Sequence, residues 1–365
     1  MRLGRLAVDN FRNLARQTLE LDAGLTVLVG PNGAGKTNLL EAVCVLGNLT
    51  SFRSGSPASW IRHGQQRAAL AAEVERAGGS VPLEQGLRRV GARVARTLRR
   101  GARRLGSAEY LELFPVVALS ATDRRLVFGP PEERRRFLDR LAFHLHFETL
   151  SVLQRYRRAL AQRSTLLLRG AKAETLDAFE AELARQGARL VELRRQALAA
   201  LGDLLPGELE RLGWVAARPV LRYHAGDGSA TEDGAAAARR LRASLLQSRG
   251  EDRRRGVTSV GPHRHELVIT VQGIPARDAL SAGQGKLLAV ALRLAAMSVL
   301  ERRRGEAPCV VFDDIDAELD SAVLRRVLGR LGGSERQVIA SSAHAELLAE
   351  AEATVLEVRD GVVAR

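Results

Sequence analysis

Eight residues near the start, Gly30 to Thr37, read GPNGAGKT and limit what this chain can fold into more than any other feature. They fit the pattern G-x-x-x-x-G-K-[S/T], with an apolar stretch, Leu25 to Val29, before them and a helical pattern from Lys36 to about Leu49 after them. That strand, loop and helix order is the context the pattern needs, and it predicts an α/β fold. Glycines let backbone N–H groups wrap around the α/β-phosphates of a nucleotide, and the helix start adds positive potential there. A lysine at the seventh position reaches the β/γ-phosphates, and the hydroxyl after it can ligate a divalent cation. Only three of the 56 basic residues are lysine, Lys36, Lys172 and Lys286, so arginine has been avoided at the one position where a compact ammonium is required. Gly30, Asn32, Gly33, Gly35, Lys36, Thr37 and Asn38 are therefore the expected nucleotide contacts.

Two later segments complete a phosphate chemistry. CVVFDD, Cys309 to Asp314, reads as a buried strand ending in two carboxylates, which alone is as often a simple helix cap. Beside a phosphate loop the pair has distinct duties: Asp313 would hold the Mg²⁺ water shell with Thr37, and Asp314 would orient or deprotonate an attacking water. LSAGQGK, Leu280 to Lys286, opens a helix continuing from Leu287 to Leu300. The bare N–H groups at such a helix start, with Ser281, Gly283 and Gln284, suit a phosphate.

At 365 residues the chain is long enough for two domains, and with 45% apolar and 27% charged residues it is far from a disordered composition. Residues 1–125 are expected to form the first part of an α/β domain, with strands at Leu3 to Val8 and Val116 to Leu119 and a β-meander from Ala68 to about Leu105. Residues 126–245 read as a mainly helical lobe, its apolar residues spaced by three and four from Pro131 to Leu205, ending in a loop and linker at about 225 to 240 that includes Gly226, Gly228, Gly234 and Ala235 to Ala238. Residues 246–365 return to α/β, with strands at Leu267 to Val271, Cys309 to Phe312 and Val338 to Ser341 and a closing hairpin from Thr354 to Val363. Arg293 interrupts the most apolar stretch short of the roughly 18 to 20 residues a bilayer needs, so no membrane span is expected. Asp9 and Asn10 precede any apolar run, which argues against a signal peptide and for a cytoplasmic protein with Cys44 and Cys309 as reduced core thiols. The net charge of +14 favours polyanions, and Arg88 to Arg104 holds eight arginines and no acid, a candidate contact for nucleic-acid phosphates.

With the phosphate loop before it and the carboxylate strand after it, LSAGQGK is similar to the signature of ATP-binding-cassette ATPases, and AELD, Ala317 to Asp320, resembles their D-loop. The resemblance sharpens to the RecF family on DNFRNL (Asp9 to Leu14), GPNGAGKTNLLEAV (Gly30 to Val43), SFR (Ser51 to Arg53), PPEERRRFLDR (Pro130 to Arg140), GPHR (Gly261 to Arg264), LSAGQGK and FDDIDAELD (Phe312 to Asp320), which span most of the chain. It implies an ABC-type ATPase head, a mixed sheet around the phosphate-loop helix, with an inserted helical lobe. It further implies ATP and Mg²⁺ as ligands, an ATP-dependent homodimer, weak regulatory hydrolysis with Lys36, Ser281 and Asp314 as catalytic residues, and Arg12 as a further nucleotide contact. ATP would lie between one chain's phosphate loop and the partner's Ser281 and Gly283. The partners implied are duplex or gapped DNA, RecR and RecO, and through them RecA loading on DNA coated by single-strand-binding protein, in recombinational repair, replication restart and SOS induction. Departures are visible. The Pro-Glu-Asp turn usual in the family is Ser120, Ala121, Thr122, Asp123, with no Q-loop glutamine; the acidic pair after GPHR is His265 and Glu266; and the switch position falls on Ser342, with His344 two residues late.

Three other readings compete. A transport ATPase subunit would carry an early adenine-stacking aromatic and no long helical lobe. An SMC-type head would need coiled coils longer than this lobe can supply. An ATP-binding DNA module without hydrolysis stays open because Asp314 stands where a longer glutamate is commoner.

Overall fold

The computed structural model describes residues 1–53, 55–226, 234–315, 319–332, 336–343 and 353–364, which divide into two units. The first comprises Met1–Arg124, Gly207–Trp214 and Lys286–Arg365, and the second Arg125–Pro206 and Val215–Gly285.

The first unit is built on two six-stranded sheets. One runs, edge to edge, Val362–Ala364, Ala353–Arg359, Gly24–Val29, Gln337–Ser342, Cys309–Phe312 and Val116–Leu119, all parallel except the terminal hairpin partner. Cys309–Phe312 and Gln337–Ser342, CVVF and QVIASS, are buried at every position without alternation, as parallel strands covered on both faces require. The other sheet is antiparallel, in the order Leu14–Glu20, Arg2–Phe11, Arg67–Arg76, Gly79–Val90, Arg93–Arg100, Arg103–Arg104. Its strands alternate, Leu6, Val8, Leu70, Val74, Leu83 and Leu87 facing the core and polar residues facing water. The helix Lys36–Asn48 touches strands of both sheets and is buried along nearly its whole length, which is why its sequence, KTNLLEAVCVLGN, carries no polar stripe. Gly207–Trp214 joins this unit through Glu208, 1% exposed, which accepts hydrogen bonds from Arg330 and Ser298.

The second unit combines the helices Pro131–Leu145, Glu148–Leu168, most of Ala173–Arg211 and Gly234–Arg255 with a three-stranded sheet ordered Ile274–Pro275, Glu266–Val271, Pro219–His224. A buried polar cluster ties three helices together: Arg163, fully buried, donates to Glu180, Asp252, Thr258 and the Leu245 carbonyl.

The helical lobe thus extends beyond its expected boundary at 245, as far as Gly285. The reason is pairing: Glu266–Val271 hydrogen-bonds with Pro219–His224, a strand within the lobe, rather than with any strand of the first unit. Ala235 to Ala238, expected as linker, opens the helix Gly234–Arg255. Gly228 lies outside the described residues. Cys44 and Cys309 are buried and form no disulfide. Among the described residues Ala282–Arg304 alone has the length and composition to cross a membrane, and 67% of its most apolar window is buried inside the fold, as in a core helix.

Candidate functional site: a phosphate-binding loop facing two carboxylates

Gly24–Val29 ends against its neighbour Ala353–Arg359, and the chain must turn there without a side chain. Gly30 has φ +146°, and a Cβ on it would lie 2.2 Å from the Val358 carbonyl oxygen. Gly33 and Gly35 also hold positive φ, 83° and 113°, conformations that leave successive N–H groups turned toward one side. The loop is braced from the far end of the chain: Gly361, in the turn of the closing hairpin, donates to the Ala34 carbonyl at 2.7 Å, while Gln17 donates to the Gly361 carbonyl at 2.8 Å. Lys36 is 5% exposed, and its Nζ donates to the carbonyls of Gly30 and Pro31 within the loop.

A cavity of about 460 Å³ opens here, lined by Pro31 to Asn38, Phe52, Arg53, Ser120 to Thr122, Asp313 and Asp314. Phe312 ends its strand beside Leu119, so the two carboxylates emerge where the parallel sheet stops, at the C-terminal ends of its strands. Asp313 is buried; it accepts a hydrogen bond from Ser341 Oγ at 2.9 Å, and the Thr37 hydroxyl also bonds to it. Burial pushes its carboxyl above the ordinary value, with Asp314 adding in the same direction, against the opposing hydrogen bonds from Thr37 and Ser341 and the charge of Arg53. Ser341 Oγ in turn accepts from the Asp314 backbone N–H at 2.9 Å, holding that residue in a left-handed turn, φ 51°, with its side chain exposed. A hydroxyl and a carboxylate in contact are hard oxygen donors, and they suit a Mg²⁺ whose other ligands are phosphate and water. No cluster of three or more His, Cys, Asp or Glu able to hold a metal occurs among the described residues, so a metal here depends on such ligands.

Arg12 is not among the cavity's lining residues: its Nε and Nη2 clasp the buried carboxylate of Glu41 at 2.9 and 2.6 Å. Arg53 shares that carboxylate, donates to Asn38 Oδ1 at 2.8 Å, and does line the cavity. Asn38 donates onward to Asn13 Oδ1 at 2.7 Å. Asn32 lies exposed on the loop. Arg53, Ser120, Thr122 and Ser341 are site positions beyond the expected contacts; the SFR block signals the first, the departed Pro-Glu-Asp turn marks the place of the next two, and nothing in the sequence marks Ser341.

Ser281, Gly283 and Gln284 belong to the second unit and are not lining residues of this cavity. Ser281 and Gln284 form a reciprocal cap, Ser281 N donating to Gln284 Oε1 at 3.0 Å and Gln284 N to Ser281 Oγ at 3.2 Å, with Ser281 and Gly283 exposed. Ser342 is buried at the end of its strand, while His344, Ala317 and Glu318 lie outside the described residues. A larger cavity, about 1210 Å³, lies in the second unit beside His224, Arg240 and Arg264, and no carboxylate lines it among the described residues.

The family profile described as RecF/RecN/SMC N terminal domain matches residues 2–362. The DNA replication and repair protein RecF of Anaeromyxobacter dehalogenans strain 2CP-1 is 37% identical over 375 aligned residues, covering 100% of this chain and 99% of the relative. The chain belongs to the RecF family. RecF of Streptomyces avermitilis is 34% identical with 100% of both chains covered. Among solved structures, one described as the recombination mediator protein RecF-ATPrS in the RecFOR pathway matches with TM-score 0.90 and 27% identity, over 99% of this chain and 97% of that one. The Smc head domain of Pyrococcus furiosus matches at TM-score 0.54 and 18% identity and shares the fold alone. The fold is accordingly that of an ABC-type ATPase head, as the strand, phosphate-loop and carboxylate placement requires of a RecF-family chain.

Proposed function

We propose that this chain is an ATP-gated DNA clamp of cytoplasmic recombinational repair, a mediator that works with RecR and RecO in loading RecA. The observation that carries the reading is the meeting of Lys36, Thr37, Asp313 and Asp314 around one cavity in a chain that matches RecF relatives from end to end. Solved RecF structures of the RecFOR pathway with ATP and with ATPrS support ATP as the ligand. Gly30, Gly33, Gly35 and the helix start would hold the α- and β-phosphates, Lys36 the γ-phosphate, and Arg53 together with Asn38 the rim. Mg²⁺, when bound beside Thr37 and Asp313, supplies charge neutralisation on the β/γ-phosphates. Asp314, exposed on the same wall, orients the attacking water.

One chain carries one phosphate loop and one Ser281 cap, and the cap is exposed. A two-fold, head-to-tail pair would place each cap on the partner's γ-phosphate. ATP then acts as interface glue, and hydrolysis removes contacts made only in the closed state, a population shift that opens the clamp. Hydrolysis is slow and DNA-stimulated in this reading.

The test is the solution mass of Asp314→Asn by light scattering. With Mg-ATP the mass should double, without nucleotide it should not, and adding Ser281→Arg should abolish the doubling while ATP binding persists. A chain that binds ATP and stays monomeric removes the composite site.

A further inference from the structure

The antiparallel sheet of the first unit has one face on the core and one in water, and the basic run in it divides between them. Arg96 lies on the inner side, 5.3 Å from the Trp60 ring and donating to the Leu49 carbonyl at 2.9 Å. Arg89 donates to the Ala58 carbonyl, and Arg103 pairs with Glu109. These three have partners within the unit. The outer face is different. Strand register puts Arg67 opposite Arg88, Arg99 between Glu84 and Arg104, and Arg93 opposite Val90. Arg67, Arg88, Arg93, Arg99 and Arg104 are all exposed, and none of their side chains has an ion-pair or hydrogen-bond partner among the described residues. Glu84 is the one carboxylate on the exposed side of the strands Gly79–Val90, Arg93–Arg100 and Arg103–Arg104. Toward the opposite corner of the same face the charges cancel, Arg5 lying between Glu20 and Glu73 and Arg2 pairing with Glu75.

Between the arginines the surface is low. Ala69, Gly86 and Thr97 stand in one cross-strand row, with Ala71 beside it, and they floor a depression of about 180 Å³ whose edge carries Arg99 and, opposite it, Glu84. An excess of exposed guanidinium groups, five against one carboxylate, on a face with a floor of short side chains suits a bulky polyanion that must come close to the backbone.

We propose that this outer face is the seat of the duplex DNA backbone, with Arg67, Arg88, Arg93, Arg99 and Arg104 contacting phosphates; the assignment rests on the DNA-clamp reading above. Arginine forks fit phosphate oxygens, and partnerless ones release counterions on binding without first breaking an internal ion pair. No aromatic side chain stands on the exposed side of these strands to stack an unpaired base, so the face fits duplex backbone rather than single strands. Nothing on it presents the directed donors and acceptors that read base edges, and binding here is indifferent to sequence.

The experiment measures affinity for a blunt duplex across a salt series, with Mg-ATP, for the full chain and for the triple variant Arg88→Gln, Arg99→Gln, Arg104→Gln. Each lost phosphate contact lowers the slope of log affinity against log salt by roughly 0.9, so the triple variant should lose nearly 3 from the slope and on the order of 100-fold in affinity near physiological salt. Neutralising Arg155, Arg157 and Arg158, exposed on a helix of the second unit, should leave the slope unchanged. Thr97→Glu, one acid set in the floor, should weaken binding in the same direction. ATP-dependent mass doubling and the unfolding midpoint should match the parent in every variant. A triple variant that keeps the parent's affinity and slope overturns the surface while the clamp reading stands, and tighter binding of a single strand than of the duplex overturns the duplex assignment. A parent chain that binds no DNA overturns the reading itself and this surface with it.

Discussion

Gly30 shows how much the site depends on a missing side chain. With φ +146° and the Val358 carbonyl 2.2 Å from where a Cβ would sit, Gly30→Ala would meet both backbone strain, about 1–3 kcal/mol, and a clash with a neighbouring strand that cannot retreat. The expected outcome is a lower unfolding midpoint and at least a tenfold loss of ATP affinity, read by titration calorimetry. Gly33→Ala is the contrast, because nothing lies within 4 Å of its Cβ and only the φ of 83° opposes it. Equal losses in the two variants would remove the role given to the Val358 contact. Gly30, Lys36 and Thr37 were legible because their chemistry is encoded in adjacent positions. Ser341 was not: its place between Asp313 and the Asp314 N–H is created by sheet pairing with Cys309–Phe312, and a serine at the end of an apolar strand carries no local mark of that duty.

Elements whose hydrophobic period is strong were legible in the sequence, and those that borrow their stability from partners were not. The phosphate-loop helix, the meander and the closing hairpin fall where the pattern puts them. Leu14–Glu20 and Pro219–His224 are not legible as strands because LARQTLE and PVLRYH are short edge strands, interrupted by polar residues, with only one paired neighbour each in their sheets. The run Ala235 to Ala238, whose small residues suggest a linker, is a helix start, since alanine is the strongest helix former. The GPHR segment shows an element held by a titratable group. His263 Nε2 donates to the Thr258 carbonyl at 2.9 Å, and the Tyr156 hydroxyl donates to Nδ1 at 2.6 Å, an arrangement that needs the neutral ring. Burial pushes the imidazole down to about 4 from 6.5, with Arg264, His265 and Arg135 adding repulsion. The unfolded chain therefore binds the proton more tightly, and stability present above pH about 6.5 is lost as the pH falls toward 4. His263→Gln should flatten that part of the curve. Parallel pH profiles of the urea midpoint for parent and variant would show that the ring's titration plays no part.

At the scale of the whole molecule, the two halves of the expected ATP site sit in different units of one chain, Lys36 and Asp313 in the first and Ser281 in the second. If ATP joins the Lys36 side of one chain to the Ser281 side of another, then nucleotide and partner are both ligands of the folded state, and each contributes to its stability by mass action. Unfolding must then release two ATP molecules and separate two chains. For Asp314→Asn in Mg-ATP, the thermal midpoint should rise with nucleotide and also climb by a few degrees for each tenfold increase in protein concentration. Without nucleotide the midpoint should be independent of protein concentration. Ser281→Arg separates the two effects, since it should keep the dependence on ATP, whose phosphate loop is intact, and lose the dependence on protein. A midpoint that follows ATP but never protein concentration in Asp314→Asn would mean that one chain alone completes the site, and hydrolysis could then not act by parting a pair.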